Sequence, residues 1–278
     1  MTVNLGRVGI WRSWRQVNVD LAAAVERLGY GAIWLGSSPP GDLGTVEDLL
    51  DATSTIAVAT GIVNMWAVNA ATVAASYHRI TSKHPGRFLL GVGIGHPEAT
   101  EAYQRPYDKI VAYLDQLDQA GVPVQERALA ALGPRVLKLS GERAAGAHPY
   151  LTTPEHTKRA RAILGEGPLL APEHKVVMEK DPGLARGIGR PAVQNPYLGL
   201  SNYLNNLRRL GYTNADFAAG SDRLIDALVL HGDAQTIAGG IGAHFDAGAD
   251  HVAIQALTAV DGDPLATYRA LADSLGLG

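Results

Sequence analysis

The chain has no cysteine. That excludes disulfides, thiolate nucleophiles, Cys-x-x-Cys redox motifs and cysteine-ligated zinc together, and it suits a cytoplasmic protein. A positive surplus is also lacking: 24 Lys and Arg face 27 Asp and Glu, a formal net charge of −3. No basic surface is therefore expected to follow a nucleic-acid backbone. No run reaches the roughly 18 consecutive apolar residues of a membrane span. The N-terminus, Met-Thr-Val-Asn-Leu-Gly-Arg-Val-Gly-Ile-Trp, lacks the basic-then-apolar layout of a signal peptide. Phenylalanine is scarce, at 3 residues against 32 glycines, so the core must be built from small and branched side chains. Apolar residues are 46% and charged residues 18% of the chain, enough to bury a large core and unlike a disordered chain.

Short apolar runs alternate with amphipathic runs. Arg7–Trp11, Gly31–Leu35, Val58–Met65, Phe88–Ile94, Arg127–Leu132, Ala147–Leu151, Leu169–Val177 and His251–Leu257 read as buried parallel strands. Helical stripes lie between them. The clearest is Tyr107, Ile110, Val111, Leu114 and Leu117, closed by Gly121 at C′. Another runs over Ala71–Lys83 and ends at His84-Pro85-Gly86. Eight strands alternating with helices predict an α/β chain folded as one (β/α)8 TIM barrel over 1–278. A doubly wound sheet would carry a glycine fingerprint in its first turn, and Arg12-Ser13-Trp14 stands there instead. Met178–Ser221, with helix-like Tyr203–Leu210 among Gly and Pro, reads as a helical insertion after strand seven.

A barrel presents its site at the carboxyl ends of the strands. The residues there are aromatic and neutral, among them Trp11, Trp14, Ser37, Ser38, Trp66, His96 and His148, and nearly free of carboxylates. A paired-carboxylate hydrolase needs the opposite, and the lack of an HExxH spacing argues against a dedicated metal site. Such a rim suits a flat apolar ring with a polar tail.

Ala131-Leu132-Gly133-Pro134 turns into a helix with Pro at its first position, which offers free N–H groups and a positive dipole end to a phosphate. Arg135 and Lys138 add charge nearby, and an ordinary strand-to-helix turn is the competing reading. Gly91, Gly93 and Gly95 share one strand face, where a backbone or a planar ligand can approach closely. His96 is a candidate proton donor and His148 and His174 stand in comparable places. Lys175 raises a Schiff-base aldolase as a rival, although Glu173 and His174 make its strand polar for a buried lysine.

Four stretches resemble the bacterial luciferase-like superfamily, in its branch using the deazaflavin coenzyme F420. They are Leu28-Gly29-Tyr30-Gly31-Ala32-Ile33-Trp34-Leu35, Thr60-Gly61-Ile62-Val63-Asn64, Gly86-Arg87-Phe88-Leu89-Leu90-Gly91-Val92-Gly93-Ile94-Gly95 and Asp246-Ala247-Gly248-Ala249-Asp250-His251-Val252. The resemblance implies a barrel with an F420 or FMN ring across its mouth, and dimers. It also implies a non-prolyl cis peptide backing the ring within Ile62–Met65, at Val63–Asn64, and a phosphate turn at Ala131–Pro134. Two departures stand out: Ser37-Ser38 replaces the Asp-His pair of the F420-dependent sugar-phosphate dehydrogenases, and His96 replaces their Glu. Sugar-phosphate oxidation is therefore not expected.

The expectation is an F420-dependent oxidoreductase passing a hydride between the deazaflavin and a small organic molecule, with an FMN-dependent monooxygenase or a non-catalytic flavin-binding barrel as alternatives. The cofactor contacts would be Ser37, Ile62, Val63, Asn64, Met65, Ile94, Gly95, Ala131, Leu132, Gly133 and Pro134. His96 would be catalytic, and Trp11, Trp66 and His148 would meet the substrate.

Overall fold

In the computed structural model of the protein, which describes residues 3–95, 105–259 and 262–278, the short apolar runs pair side by side in parallel. The strands are β1 (Val8–Ser13), β2 (Ala32–Gly36), β3 (Ala57–Thr60), β4 (Val63–Asn64), β5 (Phe88–Gly93), β6 (Arg127–Leu129), β7 (Gly146–Ala147), β8 (Leu169–Leu170), β9 (Glu173–Val177), β10 (Val229–His231) and β11 (Val252–Ala256). Two expected strands are each split in two. The third breaks between Thr60 and Val63, so β3 pairs with β2 and β5 while β4 pairs only with β5. The seventh breaks at Ala171-Pro172, since proline cannot donate to a ladder.

That second break closes the ring. β8 pairs with β7, β9 pairs with β11, and β11 pairs with β1. The joint itself is bonded on both sides: Ala171 N–H donates to Ala147 O and Ala253 N–H to Pro172 O, each at 2.9 Å. β10, which strand periodicity does not reveal, is an extra strand on the outer half of β9.

The interior solves the shortage of phenylalanine with two tryptophans among alanines. Trp11 and Trp34 pack with Ala32, Ala57, Ala59, Ala128, Ala171 and Ala253. Neighbouring residues on each strand, such as Ile10, Ile33 and Val58, face outward to the helices, as the period of two requires. Gly9 is needed where it stands, since a Cβ there would lie 2.8 Å from the His251 ring.

Helices α1 (Val19–Arg27), α2 (Gly44–Asp51), α3 (Ala70–Lys83), α4 (Pro106–Gln119), α5 (Pro134–Arg143) and α6 (Pro154–Leu164) cover the outside. The insertion after β9 is helical: α7 (Pro182–Gln194), α8 (Ser201–Arg209), α9 (Asn214–Ala219) and α10 (Asp222–Leu228). It has its own small core, in which Leu200, Tyr203, Leu207, Phe217 and Leu224 pack with Val177 and Val229 of the sheet. Helices α11 (Ala234–Asp246) and α12 (Pro264–Leu275) complete the chain. Asn18, Asn69, Thr153, Asp181, Ser221 and Asp233 cap their helices through side-chain oxygens. No helix among the described residues is long and apolar enough to cross a membrane.

Candidate functional site

A slot opens at the carboxyl ends of β1 to β7. Ile62, Ile94, Ile110, Ala130, Leu132 and Val136 form its apolar walls. Its back is the interrupted third strand. The peptide Gly61–Ile62 is cis, one residue before the span Ile62–Met65 expected for it and two before Val63–Asn64. The displacement follows from pairing: Val63 is already in register with Val92 and Met65 N–H donates to Gly93 O at 2.9 Å, so the irregular link falls before them.

Alternation then divides the expected contacts. Ile62 and Asn64 face the slot, as do Trp11, Ser37, Ile94, Gly95, Ala131, Leu132, Gly133 and His148. Val63 and Met65 point the other way into the helical layer and are buried, so they do not line it. Pro134 is exposed on α5, one residue past the lining. Trp66 lies aside under Lys109, whose Nζ is 5.4 Å from its ring. His96 lies outside the described residues.

Only two of the three glycines lie on β5, since Gly95 follows it at a positive φ of 58°; Gly91 serves the sheet, because a Cβ there would strike Thr60 O at 1.8 Å. Gly93 makes room for Ile62, and Gly95 lines the slot beside Asn64.

Three buried polar atoms on the slot walls have no hydrogen-bond partner among the described residues: Trp11 Nε1, His148 Nε2 and Asn202 Oδ1. Their placement follows from the layers beneath. Trp34 Nε1–H donates to His251 Nε2 at 3.0 Å, and the Trp34 ring stacks on His148 at 4.0 Å and 10°. His148 Nδ1 faces Ala171 O at 2.7 Å; a carbonyl only accepts, so Nδ1 carries the hydrogen and Nε2 is a bare acceptor. Burial, reinforced by His251, pushes His148 down to about 4, which keeps it neutral at pH 7. A Cβ on Gly61 would lie 3.0 Å from both Trp11 Nε1 and His148 Nε2. One indole donor and one imidazole acceptor thus converge on the cis peptide.

At the other end of the slot, α5 begins at Gly133 without a side-chain cap. His156 Nε2–H donates to Leu132 O at 3.0 Å and holds the turn. The expected basic neighbours are engaged elsewhere: Arg135 stacks 3.5 Å over the Tyr107 ring and Lys138 pairs with Glu142 at 3.9 Å. Arg209 comes instead from the insertion, its guanidinium 3.9 Å from where a Cβ on Gly133 would stand. Tyr197, Asn202 and Tyr203 of the insertion complete the lining. None of these four is expected at the site from the sequence: the helix-like run Tyr203–Leu210 is visible, but no local pattern shows that the insertion reaches the slot.

Lys175 is buried on β9, its Nζ 3.0 Å from Glu173 Oε1 and 3.9 Å from the Tyr150 ring centroid. The polar neighbour counted against burial is its counter-ion: residues i and i+2 share one strand face. Glu173 also accepts from Leu151 N–H at 3.0 Å. Burial lowers the Lys175 ammonium, against the pull of Glu173; the 3.0 Å pair ties its Nζ to Glu173 rather than leaving it free to meet a carbonyl as in a Schiff-base site. His174 faces outward, its Nδ1 2.9 Å from His244 Nε2, so it takes no part in the slot.

Residues 12–120 match the model of the luciferase-like monooxygenase family, so the resemblance read from the sequence holds from β1 to the end of α4. No curated protein matches the chain. Solved structures of similar fold include an F420-dependent secondary alcohol dehydrogenase in complex with an F420–acetone adduct (TM-score 0.74, 14% identity, 98% of both chains). The coenzyme F420-dependent tetrahydromethanopterin reductase from Methanopyrus kandleri aligns at TM-score 0.69 and 16% identity over 99% of both chains. The FMN-bound oxygenating constituent of 3,6-diketocamphane monooxygenase from Pseudomonas putida aligns at 0.67 and 16% over 96% of both.

Proposed function

We propose that this luciferase-like barrel is an F420-dependent oxidoreductase acting on a small organic substrate. The observation that carries the reading is the pair of unpartnered atoms at the cis peptide. Trp11 Nε1–H and His148 Nε2 together complement an N–H beside a C=O, the edge that a deazaflavin or flavin ring presents. Leaving such groups buried and unpaired costs about 1–3 kcal/mol each, so a ligand that satisfies them gains selectively.

The remaining residues fit the rest of the group. Ile62 and Ile94 would back the ring, and the free N–H end of α5 at Leu132–Gly133 would take its phosphate, with Arg209 as the nearby cation. When bound, the deazaflavin supplies a two-electron hydride acceptor or donor. The chain orients the two partners, with Tyr197 and Tyr203 covering the slot against water. His96, the residue after slot-lining Gly95, remains the proposed proton donor. The two F420-dependent enzymes among the fold neighbours support this choice of coenzyme.

Titration of the purified protein with F420, FMN and NADPH tests the reading. Saturable quenching of F420 fluorescence, with weak or no FMN binding, is expected. Tight FMN binding in place of F420 would reassign the chain to flavin-dependent oxygenation, and binding of neither would end the proposal.

A further inference from the structure

Beyond the ring slot, across Trp11, Ser37, Tyr150 and Tyr197, lies a second chamber of ≈ 370 Å³. Its character is different. Arg12, Ser13, Gln16, Lys175, Asn195, Gln255 and Thr258 make it polar, and no carboxylate is among its described lining residues. Glu173 lies behind Lys175 and takes one of the three ammonium N–H groups, which leaves donors directed elsewhere. Gln255 Oε1 accepts from Tyr150 O–H at 3.0 Å, so the free end of that amide is its NH2, a donor. Arg12 spends its Nε–H on Gln16 O at 3.2 Å and also engages the Tyr268 hydroxyl, and it has no carboxylate partner among the described residues. Two basic side chains, Lys175 held against Glu173 and Arg12, therefore share one enclosure with an amide donor, and no carboxylate is among its described lining residues.

We propose that this chamber holds the carboxylate of an organic acid substrate, with Lys175 and Arg12 as its anchors and the reacting end of the molecule extending past Trp11 and Tyr150 into the ring slot. The inference rests on the reading of the slot for its chemistry, but its electrostatics stand alone. The chamber lies at the ends of β1, β9 and β11, whereas the phosphate turn follows β6 on the opposite side of the ring. That separation favours substrate over the acidic tail of the coenzyme.

The test uses levulinate and its neutral methyl ester, both added to the protein without coenzyme and followed by isothermal titration. The acid should bind at least about tenfold more tightly, since charge-assisted hydrogen bonds contribute that much or more. The preference should vanish in Arg12→Met and in the double variant Glu173→Gln/Lys175→Met, which strands no buried carboxylate. F420 binding to Arg12→Met should be unchanged. Equal affinity for acid and ester, no saturable binding of the acid, or a preference that survives both variants would overturn the proposal. So would a tenfold loss of F420 affinity in Arg12→Met, which would give the chamber to the coenzyme's tail. Failure of the slot reading looks different: levulinate preference intact, with no deazaflavin or flavin bound by any variant.

Discussion

Replacing His148 by phenylalanine separates the needs of the ligand from those of the fold. Nε2 is a buried acceptor with no partner among the described residues, and removing it relieves about 1–3 kcal/mol. The substitution also breaks the 2.7 Å bond from Nδ1–H to Ala171 O, a loss of about 1 kcal/mol. The aromatic face against Trp34, stacked at 4.0 Å, is kept. The two changes nearly cancel, so the guanidinium midpoint of His148→Phe should lie within about 1 kcal/mol of the parent. Coenzyme binding has no such compensation. A ring N–H left without its acceptor costs about 1–3 kcal/mol, or about 5- to 150-fold in Kd. Fluorescence titration with F420 measures this directly. A folded His148→Phe protein with the parent's F420 affinity would refute the role given to Nε2.

Acid should destabilise the protein before its carboxylates titrate. Burial holds His148, His244 and His251 at about 4, below the unfolded value of about 6.5, so the unfolded chain binds more protons in between. Stability is then complete above pH 6.5 and falls as pH drops toward 4; denaturation at pH 7 and pH 5 should differ by about 2 kcal/mol per histidine, and a flat profile would contradict this. Arg209→Ala should weaken F420 about fivefold, the worth of roughly 1 kcal/mol for an exposed cation, while leaving a phosphate-free deazaflavin unaffected. In Gly36→Ala the new Cβ would sit 1.9 Å from Trp11 Cζ2, so the ring must move; a loss of about 1–3 kcal/mol together with weaker coenzyme binding is expected, and parental Tm and affinity would count against it.

The barrel was legible because parallel staves are buried on both faces and read as short apolar runs, which Ala32–Gly36 and Phe88–Gly93 both show. The breaks were not legible. Pro172 splits the seventh stave and the Gly61–Ile62 link splits the third, yet both lie inside apolar stretches that look continuous. The slot was half visible: strand-end residues such as Trp11, Asn64, Leu132 and His148 line it, because the fold places its site there. Strand alternation removes Val63 and Met65, and applying it from Gly61 onward would have done so in advance. Tyr197, Asn202, Tyr203 and Arg209 come from the insertion, whose approach to the mouth depends on packing of Leu200, Leu207 and Leu224 rather than on any local pattern. Lys175 was misjudged for a simple reason: its partner Glu173 was counted as a neighbour in sequence rather than as a counter-ion on the same face.

The most direct measurement is a crystal structure of the protein soaked with F420. The account predicts the deazaflavin between Ile62 and Ile94, its pyrimidine edge within hydrogen-bond distance of Trp11 Nε1 and His148 Nε2, and its phosphate at the N–H end of α5 beside Gly133. Density for the ring anywhere else, or a ring in the slot with those two atoms still unpartnered, would contradict it.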